Sequence, residues 1–332
     1  MKLQEIIQAH IAFRERRSGS KAIVGVNQYS IYPSEDFIPY LGEGCIEPED
    51  IDLEGWLPHY EDFWNKTNLC WGEMLHWASP LNGFPWMEAI AGCPIYVNPT
   101  SKSVWAGEIH RYHLGDRISL DPEDPWFQLL LKATQGMVEL ARGRFPVAPG
   151  IMRGISDLLS AILGTTHFFL AIHDEPQAVS EAARALSDLW IAVVKRQYEI
   201  ILPFYGGYVN AGLWSPGKCP VYQEDAAASI SARSYEAIIG AYARQVLQAF
   251  DDPIVHLHSV GIHLAGSMLK SEKIPVLEVN LDPSGPPVQT LLPNFQAIQA
   301  LAPLEIFGSQ DDIQTCLDGL SQQGLACLLM KT

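Results

Sequence analysis

The chain has 332 residues, 48% of them hydrophobic and 18% charged, with a formal net charge of −16 from 22 Lys+Arg against 38 Asp+Glu. That is enough apolar material for one α/β barrel or two smaller domains. The acidic excess argues against nucleic acid or an anionic membrane as partner, because phosphate contacts are made by basic side chains. A polyanionic substrate is disfavoured too, unless the few arginines gather in one pocket. The six cysteines, at 45, 70, 93, 219, 316 and 327, are scattered and form no C-x-x-C pair. A structural zinc knuckle or redox dithiol is therefore not expected, and reduced thiols in a cytoplasmic protein are.

The first seventeen residues form an amphipathic pattern with charges throughout, unlike a signal peptide. No run of eighteen apolar residues suggests a transmembrane span. A helix is predicted over 1–20 and a strand over 22–28. Loops, short helices and a hairpin follow to about residue 105, in a stretch holding Trp56, Trp64, Trp71, Trp77 and Trp86. With so acidic a chain, these tryptophans read as packing or a lid rather than a base-stacking platform.

From 121 onward the pattern is regular. Asp121-Pro122-Glu123-Asp124 caps a helix to about Arg142. A strand is predicted over 145–149, a helix over 155–163 ended by Gly164, and a long helix from Pro176 to about Leu202. Strands follow at 208–213 and 221–223, then a helix over 231–250. Strands at 254–260, 276–281, 304–307 and 325–330 alternate with helical segments at 262–271, 287–301 and 309–323. This alternation implies βαβ crossovers and a parallel sheet. About eight strands fit the length, so the expected fold is α/β, a (β/α)8 TIM barrel forming one domain over 1–332. Residues 1–105 would be an elaborated N-terminal segment packed on it. A doubly wound open sheet is the alternative, although neither a G-x-G-x-x-G after an early strand nor a Walker A motif is present.

The chemistry-bearing residues cluster late. A strand alternates faces with period two. His256 and His258 therefore share one face, as do Glu278, Asn280 and Asp282. These two consecutive strands aim imidazoles and carboxylates alike toward their C-terminal ends, as an active-site wall would. His258 and Asp282 are candidate catalytic groups, and His256 and Asn280 are candidate substrate contacts. Glu224 and Asp225, at the end of the 221–223 strand, could do acid/base work or cap the next segment. Arg153 is the arginine best placed to hold a substrate carboxylate, and Tyr222 could line the pocket. No metal ligand is assigned.

Several segments are similar, in order, to the uroporphyrinogen decarboxylase-like superfamily. They are Gly83-Phe84-Pro85-Trp86-Met87-Glu88-Ala89-Ile90-Ala91-Gly92-Cys93-Pro94, Gly154-Ile155-Ser156-Asp157-Leu158-Leu159, Tyr222-Gln223-Glu224-Asp225, His258-Ser259-Val260-Gly261 and Asp282-Pro283-Ser284-Gly285-Pro286. The resemblance runs from about residue 80 onward. It implies a TIM barrel with chemistry at the C-terminal strand ends, and it adds Trp86 and Glu88 to the substrate-contact candidates. Two chemistries occur in that superfamily: cofactor-free decarboxylation, and zinc-dependent methyl transfer from a corrinoid protein to a thiol. The decarboxylase's early arginine-rich motif is absent here. So is the methyltransferases' His-x-Cys zinc pair, since Val260 follows His258 by two, and the second cysteine is expected in a loop after the last strand. The expectation is a lyase of decarboxylase type acting on a small or medium carboxylated molecule without a cofactor. Arg153 would anchor a carboxylate, and His258, Asp282 or Glu224 would move a proton. The alternatives are a corrinoid-dependent methyltransferase with an altered zinc site built from His256, His258, Glu278 and Asp282, or an inactive relative. A homodimer is compatible with either.

Overall fold

A computed structural model describes residues 2–27, 37–109, 113–116, 118–150 and 152–330. Gln28, predicted as the end of the first strand, lies outside the described residues. Seven strands form one parallel sheet: β1 (Ile23–Asn27), β2 (Met152–Arg153), β3 (Val221–Gln223), β4 (Ile254–His258), β5 (Val276–Asn280), β6 (Leu304–Gly308) and β7 (Leu325–Met330). Their neighbour order is β1-β7-β6-β5-β4-β3-β2. It follows the chain without the reversal that defines a doubly wound sheet.

The two faces of this sheet are chemically different, and alternation is the cause. One face, including Val255, Leu257, Leu277, Val279, Leu304 and Ile306, joins an apolar cluster with the helices Pro125–Ala141, Ile155–Leu163 and Pro176–Ile200. Burying such a side chain is worth about 1.5–3 kcal/mol. The other face begins apolar. Ile23, Val221, Ile254, Val276 and Ala326 cluster with Ile6 and Phe13 from the helix Leu3–Arg14. One step along the strands the same face turns polar. Gln223 pairs with His256, His256 with Glu278 and Glu278 with Glu305. A further step brings His258 beside Asn280 and Asn280 beside Phe307. The apolar layer thus sits at the strand starts and the titratable layers toward the strand ends.

Two predicted strands do not join this sheet. The 208–213 segment is a hairpin instead, pairing Tyr208–Asn210 with Leu213–Ser215. Ala211 and Gly212 both have positive φ, 49° and 78°, the conformation that a two-residue hairpin turn needs and a continuous strand cannot hold. Over 145–149, Val147 makes only an isolated parallel bridge to Ala78, and Met152–Arg153 pairs with β3 in its place. The first helix also stops earlier than predicted, at Arg14, followed by Arg16 at φ 48°.

The aromatic N-terminal stretch packs into the core. Trp56, Trp64, Trp71, Trp77 and Trp86 are all buried. A three-stranded antiparallel sheet (Gly44–Ile46, Ile95–Asn98, Ser103–Ala106) and a short hairpin (Cys70–Trp71, Met74–Leu75) complete this region. Ile95, Trp56 and Trp86 belong to the same apolar cluster as Val255 and Leu277. Among the described residues, no single helix is long and apolar enough to cross a membrane.

Candidate active site

The strand ends open into a cavity of about 460 Å³. Its walls include Arg153, Gln223, His256, His258 and Asn280 from the sheet, with Trp86 and Glu88 from the short helix Trp86–Ile90. Five of the seven side chains expected to touch substrate (Trp86, Glu88, Arg153, His256 and Asn280) thus come together. A volume of this size suits a small or medium organic molecule.

Each histidine is held by a carboxylate from the next strand or from the segment that follows it. His256 Nδ1 lies 2.6 Å from Glu278 Oε1, and His258 Nδ1 lies 2.5 Å from Asp282 Oδ1. Ser259 Oγ donates to the other Asp282 oxygen at 2.8 Å. A carboxylate on Nδ1 fixes both the ring's orientation and its tautomer, leaving Nε2 for chemistry. The Nε2 of His256 is buried and makes no hydrogen bond. Burial would lower the His256 pKa, but the Glu278 charge and hydrogen bond prevail and hold it up at about 9. Burial would likewise raise Asp282, but the hydrogen bonds from His258 and Ser259 keep it below the usual carboxylate range.

Beneath the histidines, Glu305 is fully buried next to Glu278 on the neighbouring strand. Burial, reinforced by the Glu278 charge, pushes Glu305 well above the usual range and favours its neutral form.

Asp225 faces the same corner from the turn after β3. Its Oδ1 lies 3.6 Å from His258 Nε2, and its other oxygen accepts from Gln223 Nε2. The Asp157 carboxylate accepts from the backbone N–H groups of Asp225 (3.1 Å) and Ala226 (2.7 Å) and so pins that turn. One donor atom each from Asp225, His256 and His258 falls within 4.8 Å of the others.

Arg153 lines the same cavity, in register with Gln223 on the neighbouring strand, with its guanidinium 2.8 Å from Glu88 Oε1. Its side chain is 42% exposed while that of Glu88 is buried. Gly154 sets this position. A Cβ there would meet the Gln223 carbonyl at 2.3 Å and the Tyr222 ring at 2.7 Å, so only glycine lets the chain after β2 lie this close to β3.

Two expected site residues lie elsewhere. Glu224 is buried and accepts from Ser156 N (3.1 Å), Ser156 Oγ, Tyr222 Oη and Tyr235 Oη (3.0 Å). Tyr222 is also fully buried, packs edge-on against Trp190 and accepts from Ile155 N. The reason is parity: Gln223 faces the cavity, so its two neighbours face the helices. The sequence reading assigned no role to Gln223, although the same period-two argument that paired His256 with His258 selects it.

No protein-family model and no curated protein matches this chain. The geometry also bears on the thiolate zinc set that the resemblance brings into view. Val260, at the cysteine position, is half-exposed, and Cys327 is fully buried within β7. Among the described residues no cysteine lines the cavity. The residues present do not fit a thiolate-held zinc ion.

Proposed function

We propose that this chain is a uroporphyrinogen decarboxylase-like enzyme, a (β/α)8 barrel with an elaborated N-terminal segment, that acts as a lyase on a small carboxylated molecule. Support for the barrel comes from strand order. The seven parallel strands follow one another cyclically, with a single gap between β1 and β2. The parallel bridge between Ala78 and Val147 supplies candidates for that gap. A parallel sheet wound in one direction closes on itself, and such barrels carry their sites at the C-terminal strand ends.

The observation that carries the functional reading is one cavity lined by both Arg153 and the His256–His258 pair. Arg153 would hold a substrate carboxylate with its guanidinium fork. Decarboxylation breaks the bond between carbon and a carboxylate, and CO2 leaves. The electron pair stays on carbon until a proton from solvent replaces it. The developing charge would be met by His256 and His258, whose imidazoles Glu278 and Asp282 hold in place. Among the described residues the cationic side chains lining the cavity are Lys102, Arg153 and, with its raised pKa, His256, too few for a tetrapyrrole carrying many carboxylates. A smaller acid fits better.

The test is a panel of small mono- and dicarboxylic acids, read by thermal shift and by CO2 release, with Arg153→Met beside the unaltered protein. At least one acid should raise the melting temperature and release CO2, with binding lost in the variant. A panel without effect, or binding indifferent to Arg153, would discard the reading.

A further inference from the structure

We propose that His256, His258 and Asp225 bind one divalent first-row transition-metal ion of the zinc class, leaving its remaining coordination positions open to the cavity. The argument rests on what each side chain has left to offer. His256 and His258 have their Nδ1 atoms engaged by Glu278 and Asp282, so the two Nε2 atoms remain as ligands, the ion replacing any proton they carry. Asp225 has one oxygen engaged by Gln223, while its Oδ1 accepts no hydrogen bond. All three residues thus carry one engaged atom and one that is open, and donor atoms of the three converge within 4.8 Å.

Such outer partners are the usual companions of metal-binding imidazoles and carboxylates, because they fix ring orientation and raise donor strength. His256 supplies an independent indication. The residue is 3% exposed, lines the cavity and leaves a buried Nε2 without a partner. A buried polar atom of this kind, facing a cavity, is suited to an ion or other polar partner there. The spacing also fits. His258 Nε2 and Asp225 Oδ1 are 3.6 Å apart, and two donors at 2.0–2.1 Å from a tetrahedral zinc are about 3.3–3.4 Å apart. Two imidazoles and one carboxylate suit a transition ion rather than magnesium or calcium, which take oxygen donors. Three protein ligands with open positions are the pattern of a catalytic rather than a structural site.

The inference deepens the lyase reading, since an ion at this corner would meet the charge that decarboxylation develops. Its binding does not depend on that reading. The test therefore uses no substrate. Protein stripped with a chelator is titrated separately with Zn²⁺ and Co²⁺, by equilibrium dialysis and, for Co²⁺, by visible absorption. One ion per chain should bind and raise the melting temperature. Glu278→Gln should weaken binding by about 10- to 100-fold, and Asp225→Ala by more. His258→Asn serves as a second ligand variant should either of these fail to fold. Absence of binding, or affinity unchanged in both Asp225→Ala and His258→Asn, would overturn the assignment. Binding without CO2 release from any acid would remove the lyase reading and leave the metal site standing.

Discussion

His10 Nδ1 accepts a 2.7 Å hydrogen bond from the backbone N–H of Trp214, while its Nε2 lies 2.7 Å from the carbonyl oxygen of Glu73. Only a neutral ring protonated on Nε2 satisfies both contacts. One side chain on the first helix therefore ties together the hairpins that carry Glu73 and Trp214. His10→Phe would leave a buried N–H and a part-buried carbonyl without their His10 partner. A loss of about 1–3 kcal/mol for each group is expected, measured by urea unfolding at pH 7.5. An unchanged midpoint would mean that the hairpins are held by other contacts.

The same ring gives a pH signature. Burial lowers the His10 pKa to about 4 from 6.5, although the bond to Glu73 works the other way. Between these values the unfolded chain holds a proton that the folded one does not. Stability contributed by the neutral ring is therefore complete above pH 6.5 and is lost as pH falls through 4. The stability gap between the unaltered protein and His10→Phe should narrow steadily over that window. A gap constant from pH 7.5 to 4 would contradict the lowered pKa.

Glu224 is expected to behave as a structural hub. Its carboxylate accepts from two tyrosines and from both donors of Ser156. Glu224→Gln turns one acceptor into a donor that faces other donors, a loss of about 1–3 kcal/mol. Ligand and metal affinity of the folded protein should persist. A variant with normal melting temperature and no activity would return Glu224 to the catalytic group.

Two glycines should respond in opposite ways to the same substitution. At Gly154, an added methyl group runs into the Gln223 carbonyl and the Tyr222 ring. Gly154→Ala should cost about 2 kcal/mol or more and displace Arg153, weakening carboxylate binding. At Gly266, which has an ordinary φ, nothing lies within 4 Å, so Gly266→Ala should stay within about 0.5 kcal/mol. Equal effects at both positions would show that the β2–β3 approach is not tight.

Period-two alternation and Gly/Pro punctuation made most of the sheet legible in the sequence. They paired His256 with His258, and Glu278 with Asn280 and Asp282, on the face that meets the cavity. What escaped depends on contacts between distant segments. That Asp225 turns toward the histidines follows from β3 lying beside β4 and from Asp157 pinning the turn between them. His10 looks like any helix histidine until its partners, 63 and 204 positions away, are in place. The 208–213 segment misled because its residues suit a strand, while the turn is set by two positive φ angles at Ala211 and Gly212. Glu224 differs for another reason: it follows the strand end closely, yet period two puts it on the face opposite Gln223.

The pairing of β1 with β7 has a consequence for synthesis. Ile23 sits beside Ala326 and Asn27 beside Met330, so β1 is translated about 300 residues before the strand that receives it. At roughly 5–20 residues per second, that is on the order of 15–60 s on the ribosome. Val24 finds Glu73 much sooner, but throughout this interval the β1 groups that face β7 lack their eventual partner, and an unpaired strand edge invites association with other chains. Completion of the sheet in this sense waits for the strand made last among its seven. Slowing elongation should therefore lengthen exposure of the N-terminal strand instead of helping it fold.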